Sequence, residues 1–196
     1  MKKNGRKRPW YEYLWIVTPI YLGLGFFNIL FAWLGMIFFC LPLIIALAGG
    51  GKLYCNRYCD RGRFFALLGG KLGLSRRRPT PRWLGSKWFR HGFLIFFFAM
   101  FFQMLFVTYL VGAGQQELGQ TVKLFWTFRL PWHWAYPVQV TPWIAQFAFG
   151  FYSVMFTSTV LGLVTMFLFR PRTWCVYCPM GTMTQMICTV KHGRKE

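Results

Sequence analysis

The residues of this 196-residue chain best suited to chemistry are its cysteines. Four of the six stand in two close pairs: Cys55 and Cys59 in LYCNRYCDRGRFFALLGG, and Cys175 and Cys178 in TWCVYCPMGTMTQMIC. The spacings C-x3-C and C-x2-C place both thiols of a pair on one side of a helical turn, as two ligands of one centre require. Each pair is followed, three residues after its second cysteine, by a glycine (Gly62, Gly181) and then by an apolar helical stretch. A glycine there lets the backbone approach a bulky inorganic core and offers N–H groups toward sulfur. The two segments therefore read as divergent copies of one unit, and two such halves would complete a four-cysteine shell. Three readings stand at this point: an iron–sulfur cluster, a structural zinc, and plain thiols at a membrane interface. Paired cysteines also hold zinc, but mostly in small soluble modules, whereas these halves lie 116 residues apart, from Cys59 to Cys175. Pro179, directly after Cys178, matches the C-P ending of bacterial ferredoxin motifs. The expectation is one [4Fe–4S] cluster held by Cys55, Cys59, Cys175 and Cys178, with zinc as the alternative.

The elements that must position these pairs are apolar. Hydrophobic types make up 56% of the chain and charged residues 14%, well under the roughly 25% of an ordinary soluble domain. From Leu14 to Gly51 no Asp, Glu, Lys or Arg occurs over 38 residues. One crossing takes roughly 20 apolar residues, so this run reads as a helical hairpin, 13–33 and 35–48, turning near Trp33–Gly35. Further spans are expected over 92–111 and 143–169. The predicted fold is all-α: one integral membrane domain over 1–196, with four transmembrane helices in two hairpins. Each hairpin leads into a cysteine motif, 55–62 or 175–181.

The net charge of +19 comes from 23 Lys and Arg against 4 Asp and Glu. Such a surplus can mark a nucleic-acid binder or a membrane protein that loads cations onto one face. Five of the cations lie in residues 1–9, eleven in 52–90 and five in 170–196, with only Lys123 and Arg129 in the 112–142 loop. With four spans, 21 of the 23 fall on one side, which the positive-inside rule makes cytoplasmic. The charge is thus a topology signal, both termini are expected in the cytoplasm, and nucleic acid is not an expected partner. No small-x-small site closes the first apolar run, which argues against a cleaved signal peptide. The Trp-, Tyr- and Pro-rich 112–142 loop is expected at the outer headgroup level. In a reducing cytoplasm the paired thiols point to metal or redox work rather than a structural disulfide. Cys40 and Cys188 read as small buried apolar side chains. Asn28, Gln103 and Gln146 are span amides that join helices or, less simply, meet a quinone.

The repeated C-x2-3-C-(P/D)-x-G pattern, each copy after a transmembrane hairpin, resembles the polytopic membrane ferredoxins of the NapH, NosR and CcoG type. The resemblance covers the span organisation but only about twenty residues of specific motif. It implies that Cys55, Cys59, Cys175 and Cys178 are cluster ligands and that Gly62 and Gly181 line the cluster. Pro179 belongs to the same motif, and Arg57 and Arg61, within and directly after the first copy, are the cations expected beside a negatively charged centre. Two departures stand out: Asp60 replaces the family's proline, and the second copy is C-x2-C. The appended four-cysteine ferredoxin modules of larger relatives are absent from the sequence, so the chain reads as the membrane core.

The function this implies is that of a non-catalytic electron-transfer subunit of an oxidoreductase complex in a bacterial or archaeal cytoplasmic membrane. It would pass electrons between a redox partner, an iron–sulfur or flavin subunit, and quinone or an extracytoplasmic enzyme, with membrane lipid around it. The alternatives are a structural zinc scaffold and a metal-reducing or assembly factor for a partner enzyme.

Overall fold

The computed structural model describes residues 10–50, 54–125, 127–136 and 140–193. The basic stretch 1–9, Lys52, Arg194 and Lys195 lie outside the described residues. The fold is mostly helical, with α1 Val17–Phe27, α2 Leu34–Ile45, α3 Asp60–Ala66, α4 Lys87–Gly112, α5 Pro142–Leu168, α6 Trp174–Tyr177 and α7 Pro179–Gly193. Between α4 and α5 a short antiparallel hairpin forms, β1 Thr121–Leu124 and β2 Phe128–Pro131.

Three stretches among the described residues are long and apolar enough to cross a membrane: Ile29–Ala48, Lys87–Gly112 and Pro142–Leu168. The expected 92–111 and 143–169 spans correspond to the last two. The first hairpin is drawn differently. The chain breaks at Asn28, not near Trp33–Gly35, because Asn28 takes an extended conformation and its Oδ1 accepts the Leu30 N–H at 3.0 Å. An asparagine there ends one helix and caps the next turn. Gly35 instead sits inside α2 at a close approach, where a Cβ would meet Phe151 Cε1 and Tyr21 Oη at 2.6 Å. The first arm consists of a 3-10 stretch Trp10–Ile16, which includes Glu12, followed by the 11-residue α1. It is not among the three span-like stretches, so the expected count of four is not met by length and composition.

Helix α5 is the centre of the fold and the most buried of the three long helices. Small residues on it let neighbours close in, as membrane helix packing requires. A Cβ at Gly150 would stand 2.3 Å from Met104 Cγ of α4, and one at Gly162 would stand 2.4 Å from Phe65 Cζ of α3. Phe65 is fully buried in a cluster with Leu84, Met166, Trp174 and Tyr177, and this cluster seats both cysteine motifs against the end of α5.

The β-hairpin within the 112–142 loop packs along α5. Its Lys123 N–H donates to Ser153 Oγ at 2.9 Å, and Thr157 Oγ1 donates to the Lys123 carbonyl at 3.4 Å. Ser153 is eleven residues into α5, about 16 Å from its start at 1.5 Å per residue, so the hairpin runs inward alongside the helix. Backbone at that depth must be satisfied by protein, and the two α5 hydroxyls do this. Val122 has no exposed surface and packs with Ile29, Ala32, Trp132 and Tyr152.

Candidate functional site

The first cysteine motif forms a π-helical turn, Tyr54–Tyr58, leading to α3. Cys59 is the residue before that helix, in extended conformation, and its Sγ accepts the Gly62 N–H at 3.4 Å. The sulfur does what a serine or aspartate oxygen usually does at an N-cap. The second motif is placed alike, with its last cysteine directly before a helix. Cys178 stands before α7, which begins at Pro179, and its carbonyl accepts the Thr182 N–H at 3.0 Å as the first bond of that helix. The substitution of Asp60 for proline now has a physical reading. Both residues hold the first helical position, where proline is pre-shaped and an acidic side chain is favoured by the helix dipole.

The two motifs meet at Gly62. A Cβ there would lie 3.4 Å from Cys175 Sγ and 3.5 Å from Cys59 Sγ, so sulfurs from both halves flank the same bare α-carbon. At Gly181 the nearest atoms to such a Cβ are the Cys175 carbonyl at 3.7 Å and Cys178 Cβ at 3.9 Å. Burial pushes the thiols up from their ordinary range. Cys59 rises well above it by burial and then by the neighbouring Asp60; Cys175 reaches about 12 by burial and by Cys178; Cys178 rises by burial, with its backbone N–H partner and Arg61 opposing. Cys175 is exposed as a residue, but its sulfur is the part turned inward onto Gly62.

The expected [4Fe–4S] cluster, and the zinc set as its alternative, are not supported by this arrangement. Among the described residues no three Cys, His, Asp or Glu side chains are grouped so as to hold a metal ion. Three of the four sulfurs have other neighbours. Cys55 Sγ lies 3.7 Å from Thr184 Oγ1, Cys59 Sγ caps α3, and Cys178 packs against the cluster around Phe65 and Trp174. The motif residues come together as two halves, but without a four-thiolate shell.

Of the expected cations, Arg61 is at the site and Arg57 is exposed, its carbonyl accepting from Arg63 at 3.4 Å. Arg61 donates to Ser158 Oγ at 2.6 Å and to Met155 Sδ, which fastens α3 to the middle of α5. Asp60 accepts from Thr18 Oγ1 at 2.9 Å rather than pairing with Arg61 or Arg63. Thr18, Thr184, Ser158 and Arg172, which lowers the Cys175 thiol, are site residues that motif spacing does not reveal. Their only signal in the sequence is that they are polar residues in or beside apolar runs.

Beside the thiols opens a cavity of about 590 Å³, lined by Cys59, Asp60 and Arg61, by Cys178 and Pro179, and by a wall of phenylalanines from α2 and α4. It is almost wholly apolar, with Asp60, Arg61 and the thiols on one wall and hydroxyls of α5 such as Thr157, Ser158 and Thr159 along another. A second cavity of about 210 Å³ lies between α4, α5 and the β-hairpin, and Met100 and Val154 line both. Asn28, Gln103 and Gln146 do not line the large cavity. Asn28 caps a turn, Gln146 Oε1 accepts the Gly119 N–H at 3.0 Å, and Gln103 and Gln146 border the smaller cavity.

Comparison with protein families, with curated proteins and with solved structures finds no match to the chain. The likeness to membrane ferredoxins therefore rests on the repeated motif.

Proposed function

We propose that the protein is a membrane-embedded electron-transfer subunit whose electrons travel on cysteine thiols, with a quinone-class molecule as the membrane-side partner. The observation that carries this reading is the apolar cavity with thiols from both motifs in its wall. Its volume is in the range of small-molecule sites, about 300–1,000 Å³, and a largely apolar molecule with a few polar atoms suits its lining. In one turnover Cys59, in the cavity wall, and Cys175, whose sulfur shares Gly62 with it, give up two electrons and two protons from their thiols and form an S–S bond. The quinone takes up both electrons and both protons and leaves as the quinol. A dithiol on a redox partner then exchanges with the disulfide, restoring both thiols and becoming oxidised itself.

The topology proposed with it places the cysteine motifs at the cytoplasmic face. Whether the chain crosses three times or four, the segments 52–86 and 170–196 fall on the same side, and these are rich in Lys and Arg. Support for a fourth crossing by residues 10–27 comes from their contacts. Tyr11 meets Tyr58 edge-on at 6.2 Å and lies under Arg63, whereas the Gly25 and Phe26 carbonyls accept from the Trp132 and Trp134 indoles beyond the β-hairpin. A reporter fused after Ser75 should behave as cytoplasmic; its export would overturn this topology.

The redox reading is tested on the purified chain in lipid nanodiscs with a short-chain quinone. The expected result is loss of two thiols per quinol formed, a Cys59–Cys175 disulfide in non-reducing peptide maps, and loss of both in Cys59→Ser. An unchanged thiol count under excess quinone would sink it. The reading then left is a non-redox membrane scaffold in which the sulfurs act as packing and capping groups, favoured by the contact of Cys55 with Thr184 and the burial of Cys178 in the aromatic cluster.

A further inference from the structure

The β-hairpin pairs Lys123 directly with Arg129 across its two strands. Residues opposite each other in an antiparallel ladder share a face, and two like charges so placed repel. Val122 and Leu130, the next pair, occupy the other face and pack into the apolar core. The repulsion bears most on Lys123, which is half-buried with its backbone tied to Ser153 of α5, while Arg129 is exposed. Ionisable groups within a membrane generally face a partner or a polar cavity. Among the described residues neither cation has a carboxylate in salt-bridge contact, and both line the cavity of about 210 Å³. Of the other groups there, Glu117 is the only acidic one, so two cations and one carboxylate leave a charge of +1 around the space. Gln103 and Gln116 bring amide donors. Gln146 has its Oε1 engaged by Gly119, which leaves its NH₂ to donate as well.

We propose that this cavity is an oxyanion site, taking a phosphate group between Lys123 and Arg129. The group comes either from free phosphate or from the headgroup of a membrane phospholipid. Lys supplies a point charge and Arg a planar fork of donors, a pairing suited to phosphate oxygens. A bound anion removes the cross-strand repulsion and gives the inward-running hairpin its missing counter-charge. The site is separate from the thiols and does not depend on their redox role.

The test uses the full chain in two arms. Inorganic phosphate is titrated into protein in alkyl maltoside by calorimetry, and protein from phosphatidylglycerol nanodiscs is examined by native mass spectrometry for retained lipid. Saturable phosphate binding identifies the free ion; retained lipid without phosphate binding identifies the headgroup. In either case Lys123→Gln and Arg129→Gln should each weaken binding about tenfold, as expected for one charge-assisted hydrogen bond, while Cys59→Ser leaves it unchanged. Removing a cation also removes repulsion, so ligand-free Arg129→Gln should melt no lower than the ligand-free native chain, which separates lost binding from lost folding. Absence of both ligands, or binding that survives both substitutions, would overturn the proposal.

Discussion

Replacing Gly162 by alanine should damage the cysteine site from a distance, and the size of the effect can be worked out. The new Cβ would stand 2.4 Å from Phe65 Cζ and 2.5 Å from Cε2, roughly 1.1 Å inside the ~3.5 Å at which carbon atoms normally touch. Alanine in place of a mid-helix glycine gains about 1 kcal/mol of helix propensity. Against that, overpacking a filled core costs about 1–3 kcal/mol. The upper part of that range applies, because Phe65 has no exposed surface and Leu84, Met166, Trp174 and Tyr177 close off its escape. The net loss is about 1–2 kcal/mol, which for a chain of this size lowers Tm by roughly 2–8 °C. Since Phe65 lies one turn after Gly62, relief of the clash must move α3, and the Cys59–Gly62 cap moves with it. The assay is thermal unfolding in detergent, with maleimide labelling of Cys59 as the local readout. Gly92→Ala, where nothing lies within 4 Å of the added carbon, is the control and should be neutral or slightly stabilising. Phe65→Leu in the Gly162→Ala background should recover part of the loss, since residues in contact do not act additively. A Gly162→Ala variant that melts at or above the native chain, with Cys59 labelling unchanged, would refute the reasoning.

Other consequences can be checked separately. The Cys175 thiol, pushed up to about 12 by burial, should alkylate at a rate that keeps rising with pH beyond 9, whereas an ordinary thiol levels off there; a plateau near pH 9 would count against the buried sulfur. The sign for stability follows from the same shift. The folded chain holds the proton more tightly than the unfolded one, so this contribution is complete below about pH 8.5 and is lost as pH climbs toward 12, seen as a falling Tm. Thr18→Val removes the hydroxyl that serves Asp60 and should cost about 1–3 kcal/mol, while Asp60→Asn, which keeps an acceptor for Thr18, should cost less; equal losses would argue against the bond. Ser153→Ala orphans the Lys123 N–H beside α5 and should destabilise by about 1–3 kcal/mol, with faster hydrogen exchange confined to the hairpin.

What the sequence made legible, and what it did not, divides along physical lines. The long spans were readable because charge-free apolar runs of helical length have few other uses. The break at Asn28 was missed because the eye goes to Gly35, although an asparagine that both ends and caps a turn is the stronger signal. The two glycine offsets turned out unlike: Gly62 has the Cys59 and Cys175 sulfurs beside it, whereas Gly181 has the Cys175 carbonyl and the Cys178 Cβ. The four-thiolate shell was misread from the motifs, because spacing fixes which side of a turn a thiol takes but not where its sulfur is finally directed. Thr184 draws Cys55 away over 129 residues of sequence, a contact no local pattern encodes. The β-hairpin's seat on α5 was illegible for a related reason: the hydroxyls of Ser153 and Thr157 that hold the strand look like ordinary helix-interior residues.

Helix α3 begins on a sulfur atom. An oxygen cap is chemically inert, but a thiol cap can be alkylated, oxidised or drawn into a disulfide, and each of these takes the acceptor away from the first turn. The start of α3 is therefore fastened by a group that a small reagent can unfasten. Any chemistry done at Cys59 is at once a change in backbone order at the first turn of α3, so the thiol state of this residue and the local shape of the chain are one variable.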